Sequence, residues 1–524
     1  MKIELIKEPL LEFGNNFMCD DPKMGIGMGG FFSVSNKTHR TELHLGVIGT
    51  QNNIQDLHDY IARFEGEIEA SPEEINSSDE TEIIEDGEVI INGDNSDSEM
   101  QSLFTNDLTD IEDDDLTFRT NKKINPDFPG FNSDSCFNAE FVNDPLNNFI
   151  IKEASIKETL KMDGKLFDKA IRYSDLIIEG YNAIQKKSIN KPNVIFIIIG
   201  SDVYKKFASI PQGRFYFNLR RFLKAQLVSL PNPIPVQLIL EDTLTGKKKS
   251  IQDLSMQAWN FVVANYYKNG GTPWALKVKD KDTCFIGISF HKALNSETSQ
   301  MRASLAQAFN FEGKGLIFIG DQFEWDAEKT NTPAPHLTYE YAKDLVQRII
   351  KQYSEYNRHK PSRVVIHKTT DYWDSAINKD YAEVEGLKDG INEVLGDDCQ
   401  IDLVAIKESK IRLLREEGKY PVMRGTLLEI DKATGVLYST GYIPYYEGFP
   451  GVHIPNPIEV HIYDGESTLR KVCEEILALT KMNFNNCNYY DRFPITVKFA
   501  RKVGEIVQYL DEGVEPPNKY FYYM

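Results

Sequence analysis

The sequence predicts an α/β protein with two consecutive domains, and three features lead to this expectation. Strand-like and helical patterns alternate from 194 to 268, and a second alternation begins at 284. Hydrophobic residues make up 41% of the 524 residues, which is enough apolar material for more than one buried core. Charge is also strongly segregated along the chain, so its regions are expected to differ in role.

The first alternation predicts an open α/β domain with a mostly parallel sheet. The apolar, β-branched run Val194–Ile199 is typical of a buried strand. The predicted elements are helices over 156–188, a strand at 194–200, a helix near 214–229, a strand at 236–240 and a helix at 251–268, followed by the glycine turn Gly270-Gly271.

The second alternation predicts another α/β domain, whose first strand is Cys284–Phe290. It should continue with a strand at 315–320, a helix at 338–356, a strand at 363–367, a helix near 380–395, a strand at 402–406, a hairpin of 424–430 and 435–442 turning at 431–434, and helices at 467–480 and 494–510. Before both domains, residues 1–64 are expected to form a small N-terminal segment with a strand at 42–48 and a helix at 51–64.

Several classes of protein are excluded by the sequence pattern. No apolar run approaches the roughly 20 residues of a membrane helix, and the N-terminus lacks the pattern of a signal peptide. The six cysteines are far apart and form no CxxC pair, so neither a zinc site nor a disulfide framework is expected. Scattered thiols of this kind are typical of a reducing cytoplasm.

The net charge of −20 is located in one low-complexity segment. Between Glu65 and Asp115 there are 20 acidic residues and no Lys or Arg, and the rest of the chain holds 59 acids and 59 bases. Such a segment repels itself and buries little apolar area, so residues 65–124 are predicted to be a disordered insertion. It is either a solvating insertion without a role or a polyanion that competes with nucleic acid for a basic groove.

The stretch from Lys191 to Lys281 has the opposite imbalance, with 14 basic and 5 acidic residues. A compact region with this charge should attract phosphate. Arg220 and Lys224 are four residues apart on a predicted helix, so they share a face. An amide at the start of the next strand and a lysine at a helix end can also donate to a phosphate. The candidate phosphate ligands are Arg220, Lys224, Gln237 and Lys268.

The order of these four residues resembles the MID domain of Argonautes, a Rossmann-like fold that anchors the 5′ phosphate of a guide strand. Arg220 differs from the Tyr or His often found at the first position, although a guanidinium plane can also stack on a base. In many Argonautes the terminal carboxylate joins this pocket through Mg²⁺. The resemblance therefore implies a structural Mg²⁺ at Met524, and the apolar end Tyr520–Met524 is typical of a buried terminus.

Residues 281–524 resemble a PIWI domain, which has an RNase H-like fold. Cleavage by this fold needs carboxylates that hold two Mg²⁺ ions. Ser289 stands where the first-strand aspartate is expected, and Lys368 stands where the second is expected. The resemblance therefore implies a site that does not cut. An alternative is a guided nuclease that uses the nearby acids Asp321, Glu324 and Asp326.

The resemblance extends to the C-terminal helix and to domain organisation. The PIWI helix contacts the guide backbone, which implies this role for Thr496, Lys498 and Arg501. The expected division is an N-terminal segment (1–64), the acidic insertion (65–124), a MID domain with its preceding linker (125–280) and a PIWI domain (281–524). Too little chain precedes the MID-like part for N and PAZ domains, which resembles the short class of prokaryotic Argonautes.

Membership of that class implies a sensor rather than an enzyme. The expected ligands are a 5′-phosphorylated small guide RNA and a complementary single-stranded DNA target. The expected partner is an APAZ-containing effector with a TIR or sirtuin-like NAD hydrolase, activated against plasmids or phage, with higher oligomers forming on activation. A third interpretation is an α/β sensor of small molecules that binds no nucleic acid.

Overall fold

The computed structural model describes residues 1–35, 38–71, 121–187, 189–212, 215–247, 253–277, 282–292, 300–310, 312–313, 315–320, 322–325, 330, 332, 334–415, 421–450, 454–510, 514 and 517–524. Within these ranges the strands are β1 (Lys2–Leu5), β2 (Leu11–Glu12), β3 (Met18–Cys19), β4 (Glu42–Gly49), β5 (Glu140–Ile150), β6 (Val194–Ile199), β7 (Ser209–Gln212), β8 (Phe215–Asn218), β9 (Val236–Leu240), β10 (Ala275–Leu276), β11 (Thr283–Lys292), β12 (Gln300–Phe309), β13 (Gly315–Ile319), β14 (Gln322–Glu324), β15 (Arg363–Lys368), β16 (Gln400–Glu408), β17 (Thr426–Glu429), β18 (Thr434–Leu437) and β19 (Ile458–Asp464).

The α-helices of the same ranges lie mainly between the strands. They are α1 (Pro22–Gly29), α2 (Gln51–Ala62), α3 (Glu153–Lys161), α4 (Leu166–Lys187), α5 (Ser201–Phe207), α6 (Leu219–Val228), α7 (Glu241–Leu244), α8 (Leu254–Lys268), α9 (Tyr339–Asn357), α10 (Glu383–Leu395), α11 (Leu469–Leu479) and α12 (Ile495–Val507). No helix of the described ranges has both the length and the apolar character needed to cross a membrane.

The first α/β unit is built on a four-stranded sheet in the order β5-β4-β6-β9. All three strand pairs are parallel, as the alternation of strands and helices predicts. Every residue of β6 is buried, which confirms the interpretation of Val194–Ile199 as an internal strand. The predicted helix near 214–229 is divided, because Phe215–Asn218 pairs with β7 as a hairpin before α6 begins.

Residues 1–64 do not form a separate segment, so that expectation is corrected. Strand β4 lies inside the four-stranded sheet, where it pairs with both β5 and β6. Strand β1 instead pairs antiparallel with β17, more than 400 residues away. Both strands are positioned by long-range pairing partners, which local sequence patterns do not identify.

The second α/β unit contains a ten-stranded mixed sheet, with the path β1-β17-β18-β19-β16-β15-β11-β12-β13 and β14 paired to β12. The predicted hairpin forms as β17 and β18. Strands β12 and β19 were not predicted. In β12 the residues are mostly good helix formers, Gln, Met, Arg, Ala and Leu, but pairing with β11 and β13 on its two sides makes this segment a strand.

A glycine allows α12 to lie close to this sheet. A Cβ atom at Gly287 in β11 would lie 1.9 Å from the carbonyl oxygen of Thr496 at the start of α12. That contact is far inside van der Waals distance, so a larger residue would displace the helix. The glycine of the Ile286-Gly287-Ile288-Ser289 stretch therefore sets the position of α12.

One continuous apolar core joins the two units. It contains side chains from both sheets, including Phe196 of β6 and Phe285 of β11. Tyr267 packs on Phe484 with ring centroids 4.6 Å apart. A site built between the two units is therefore held by packed side chains on both sides.

Most of the predicted acidic insertion, residues 72–120, lies outside the described residues. The chain on its two sides is brought together, because Ile68 and Phe128 exchange backbone hydrogen bonds of 2.9 and 2.8 Å. The two ends of the segment are thus neighbours. Because residues 72–120 are not described, the prediction of disorder is not tested.

Candidate phosphate-binding pocket

Helix α6 places two of the predicted phosphate ligands, Arg220 and Lys224, in the protein interior. The side chain of Asn218 caps the helix by accepting a 3.0 Å hydrogen bond from the backbone N–H of Arg221. Arg220 is 4% exposed and Lys224 is 7% exposed. Cationic side chains are seldom buried to this extent unless charges or hydrogen bonds compensate them. The shared helix face predicted from their spacing is therefore an inward face.

Lys268 is the last residue of α8 and is 2% exposed. Its amine donates to the side-chain oxygen of Gln237 and, at 3.3 Å, to the carbonyl oxygen of Val236. The turn after the helix uses Gly270 at φ +83°, a backbone conformation that favours glycine. The structure thus joins the predicted lysine and glutamine directly at the start of β9.

The three cations are close enough to influence one another. Burial is the largest cause that holds the pKa of Lys268 well below its ordinary value, and the positive charges of Lys224 and Arg220 lower it further. Clustering buried positive charges opposes folding through desolvation and repulsion. A bound anion would offset both costs through its attraction to the cations, so the cluster is suited to an anionic ligand.

The pocket in front of α6 lies between the two units. It holds about 450 Å³ of space not filled by protein atoms, part of it open to solvent. Its described wall consists of Arg220, Arg221, Lys224, Asn485, Lys502, Glu505, Ile506, Tyr520, Tyr523 and Met524. The residues from α12 were missed by the sequence analysis. The amphipathic pattern of α12 alone does not show which of its polar residues meets the first unit.

The C-terminal residues form one side of the pocket. Tyr520, Tyr523 and Met524 are 2%, 4% and 3% exposed, so the expectation of a buried terminus is confirmed. The ring of Tyr520 stacks on Phe499 of α12 at 3.9 Å between centroids. This stacking fixes the terminal turn against the same helix that supplies Lys502 and Glu505.

The described side chains of the wall do not fit a resident Mg²⁺. Glu505 is the one acidic side chain in this wall, and its carboxylate forms a 2.7 Å ion pair with Arg221. No group of three or more His, Cys, Asp or Glu side chains suited to a metal occurs in the described residues. Hard cations need several oxygen ligands. The surplus of cationic side chains instead favours direct binding of an anion.

Ser289 and Lys368 come from neighbouring strands of the large sheet. Lys368 lies opposite Ile288 in the parallel pair of β11 and β15, one residue from Ser289. The amine of Lys368 donates to both carboxylate oxygens of Glu383, at 2.6 and 2.7 Å. Both side chains of the pair are fully buried. Of the alternative acids, Asp321 and Asp326 and the side chain of Glu324 lie outside the described residues.

The charge of Lys368 is thus compensated inside the protein. Burial lowers the pKa of Lys368 while Glu383 opposes that change. Burial tends to raise the pKa of Glu383, but Lys368 and His336 keep it below its ordinary value. The ring of His336 lies 3.4 Å from the Glu383 carboxylate and stacks on Trp373. At this position of the sheet, Lys368 and Glu383 thus form a buried ion pair that packs beside His336.

Comparison with known sequences and solved structures finds that the chain is similar to Argonautes. The chain is 24% identical over 306 residues to protein argonaute of Aquifex aeolicus, covering 58% of this chain and 37% of that protein. It superposes on Clostridium butyricum Argonaute bound to a guide DNA and a 19-mer target DNA with a TM-score of 0.57 and 15% identity, over 99% of this chain and 54% of that one. No protein-family model matches the chain.

The chain has an Argonaute-like fold. Drosophila Piwi gives a similar superposition, with a TM-score of 0.56 and 14% identity over 100% of this chain and 56% of Piwi. The two α/β units correspond to a MID-like and a PIWI-like unit, as the sequence predicts. The Argonaute-like chain spans little more than half the length of these solved structures and 37% of the Aquifex protein.

The three residues predicted to contact the guide backbone lie in different environments on α12 of the PIWI-like unit. Thr496 is fully buried, and its hydroxyl is hydrogen-bonded at 2.8 Å to the ring of His367, so it does not reach a phosphate from this position. Lys498 forms a 2.7 Å ion pair with Asp491. Arg501 is partly buried, which lowers its pKa to about 10. The close approach of α12 to β11 explains the correction for Thr496.

Proposed function

We propose that this chain binds the 5′ phosphate of a small guide RNA and uses the guide to recognise complementary single-stranded DNA. The observation that carries the proposal is the burial of Arg220, Lys224 and Lys268, with Arg220 and Lys224 in the wall of a pocket that Met524 also lines. Supporting it, Clostridium butyricum Argonaute, whose fold this chain shares, binds a guide DNA and a target DNA.

A terminal phosphate matches the chemistry of this cluster. It carries a charge of about −1.5 to −2 near neutral pH and offers three acceptor oxygens. Charge-assisted hydrogen bonds from Arg and Lys are about twice as strong as neutral ones. Such a ligand would offset the desolvation and repulsion that burial of these cations causes. Small apolar ligands would leave that cost uncompensated, so the third interpretation from the sequence would require an anionic small molecule.

We further propose that the PIWI-like unit recognises a target without cutting it. The support is that Ser289 supplies no charge and that Lys368 places a cation, held by Glu383, beside it. Two Mg²⁺ ions require several nearby carboxylates. The competing candidate is a guided nuclease of the RNase H type that uses the acids at 321, 324 and 326.

The proposed biological role is that of a sensor in prokaryotic defence. A chain that recognises a target without cutting it needs a second activity, and the short Argonaute class obtains it from an APAZ-containing effector with a TIR or sirtuin-like NAD hydrolase. We propose such a partner for this chain.

The Mg²⁺ implied by the same resemblance stays a prediction that requires the Met524 carboxylate and the guide phosphate together, because the described side chains do not supply the site.

The purified chain tests this proposal directly. We expect 5′-phosphorylated oligonucleotides to co-purify with it, and sequencing them after nuclease treatment controls identifies RNA or DNA. Guide-loaded protein, incubated with labelled complementary DNA and Mg²⁺ or Mn²⁺, should retain the target intact. Cleavage products would favour the nuclease alternative, whereas absence of any bound oligonucleotide would favour the small-molecule sensor.

The preference for a phosphorylated guide should weaken as the pH rises. Lys268 has a lowered pKa, so in the free protein it loses its proton at a lower pH than an exposed lysine does. A bound phosphate stabilises the protonated form, and binding therefore takes up a proton above that lowered pKa. The measurement is the affinity ratio of 5′-phosphate to 5′-hydroxyl RNA from about pH 7 to about pH 10. A ratio that does not fall over this range contradicts the expectation.

A further inference from the structure

We propose that the acidic segment, residues 72–120, is an internal competitor for the phosphate pocket. In the protein without a guide, carboxylates of this segment lie against the cationic side chains that the guide phosphate contacts when it binds. This inference rests on the proposed function and adds a regulation of that site. It selects one of the two roles that the sequence left open for the segment.

The segment and the pocket carry opposite charges. Residues 72–120 contain 17 Asp and Glu and one basic residue, Arg119. The described wall of the pocket contains four Arg and Lys side chains and one acidic side chain. The charges of Arg220 and Lys224 in this wall also act on the neighbouring Lys268. Carboxylates form charge-assisted hydrogen bonds with Arg and Lys, as phosphates do. The segment therefore offers the class of ligand group that this pocket attracts.

The chain on both sides of the segment is fixed to helix α8. Residues 72–120 themselves lie outside the described part of the chain. Before them, the backbone N–H of Ser71 donates a 2.8 Å hydrogen bond to the carboxylate of Asp253, the N-cap of α8. After them, the carbonyl oxygen of Asp127 accepts a 3.3 Å hydrogen bond from the indole of Trp259 in the same helix. Because α8 ends at Lys268, the attachment of the segment and the cationic cluster are separated by about the length of one helix.

The segment is long enough to reach the pocket and return. Helix α8 has 15 residues, so its two ends are about 22 Å apart. A path of this length out and back needs roughly 14 residues of extended chain. The segment has 49 residues, which also allows a longer path around the protein surface. Its length therefore permits several carboxylates to lie at the pocket together.

Attachment to the same chain makes a weak contact effective, yet a guide can replace it. A group joined to its site by a short chain has an effective concentration in the millimolar range. A carboxylate carries one charge, whereas a terminal phosphate carries about −1.5 to −2 and has three acceptor oxygens. Group for group, the phosphate therefore binds the cations more tightly. The segment should keep weaker anions out of the pocket and yield to a phosphorylated guide.

The test compares the full chain with a variant that lacks residues 72–120, using guide RNAs with a 5′ phosphate or a 5′ hydroxyl. Ile68 and Phe128 pair with each other, so a short Gly-Ser linker can close the chain. The deletion should raise the affinity ratio of the two guides about 10-fold, which corresponds to a pocket occupied in about nine of ten molecules. An unchanged ratio overturns the inference. Equal gains for both guides overturn it too, because they indicate general repulsion of nucleic acid.

Two further variants separate charge from length. Replacing the 17 acidic residues of the segment by Asn and Gln keeps its length and should raise the ratio as the deletion does. Shuffling the order of residues 72–120 keeps the charge and should leave the ratio as in the original chain. If the neutral variant behaves like the original, carboxylates are not responsible and the inference is overturned. Thermal unfolding verifies that each variant is folded.

Salt provides an independent measurement of the same contact. Screening weakens attraction between exposed carboxylates and the pocket, because the Debye length falls from about 14 Å at 0.05 M salt to about 3 Å at 1 M. The difference in affinity ratio between the original chain and the deletion variant should therefore shrink as salt is raised. A difference that persists unchanged at about 1 M salt indicates a steric effect and overturns the electrostatic contact.

Lys224→Ala, made in both backgrounds, separates this inference from the proposed function. If it lowers the ratio in the deletion variant while the deletion alone has no effect, the competition is overturned and the phosphate pocket stands. A ratio that Lys224→Ala leaves unchanged in both backgrounds overturns the pocket and the competition together.

Discussion

Replacing Lys224 and Lys268 together by Ala should abolish the preference for a phosphorylated guide. A hydrogen bond to a charged group contributes about 1.5–3 kcal/mol, so each single variant should weaken binding roughly 10- to 100-fold. The two sites share one ligand and are electrostatically coupled, so the combined loss need not equal the product of the single losses. Binding of 5′-phosphate and 5′-hydroxyl RNA by fluorescence anisotropy measures the effect.

Two controls isolate the charge effect. Lys206→Ala removes an exposed lysine of α5 from the same basic region and should leave the affinity ratio unchanged. Thermal unfolding shows whether the double variant remains folded. Removing Lys268 relieves repulsion by Lys224 and Arg220, so little loss of stability from charge is expected. Full retention of the phosphate preference in a folded double variant would falsify the pocket.

Lys368→Ala is expected to lower the free energy of unfolding by about 3–5 kcal/mol. The reason is that Glu383 is fully buried, so without the ammonium group 2.6 Å away it must either carry an uncompensated negative charge or take up a proton, and both cost free energy. His336, at 3.4 Å, is a weaker partner, because burial lowers its pKa and favours its neutral form. Urea-induced unfolding of the variant and of the original protein measures the change.

The matched variant for this pair replaces both charges. Lys368→Met combined with Glu383→Leu removes the ion pair while keeping most of the side-chain volume, and such replacements are often neutral or stabilising. It should therefore be clearly more stable than Lys368→Ala. If the single and double variants lose equal stability, the cost arises from packing rather than from an unpaired buried carboxylate.

The regular alternation of strands and helices could be predicted because each element has its own local pattern. The apolar run of β6 and the periodic helix α9 both appear close to their predicted bounds. Strands β5 and β12 could not be predicted in this way, because β5 has a mixed composition and β12 is rich in helix formers, and pairing with neighbouring strands makes both of them strands. Strand β19 alternates the apolar residues Ile458, Val460 and Ile462 with polar ones, so its pattern does predict a strand, which the sequence analysis missed.

The residues of the candidate pocket likewise differ in whether the local sequence could predict them. Arg220, Lys224, Gln237 and Lys268 lie within 49 residues of one another, so their order and spacing could be interpreted directly. Lys502 and Glu505 are separated from Lys224 by more than 270 residues. Nothing in their local sequence distinguishes them from other polar residues of an amphipathic helix.

The sequence by itself determined the two α/β units, the basic stretch and the helix face that Arg220 and Lys224 share. These properties depend on residue type and short-range periodicity, which the chain carries locally. Only the tertiary structure decided that Lys368 is paired with Glu383, that Thr496 is buried against His367, and that α12 and the C-terminus form the far wall of the pocket. Such contacts arise when distant segments share one core, and short-range patterns do not encode which segments will meet.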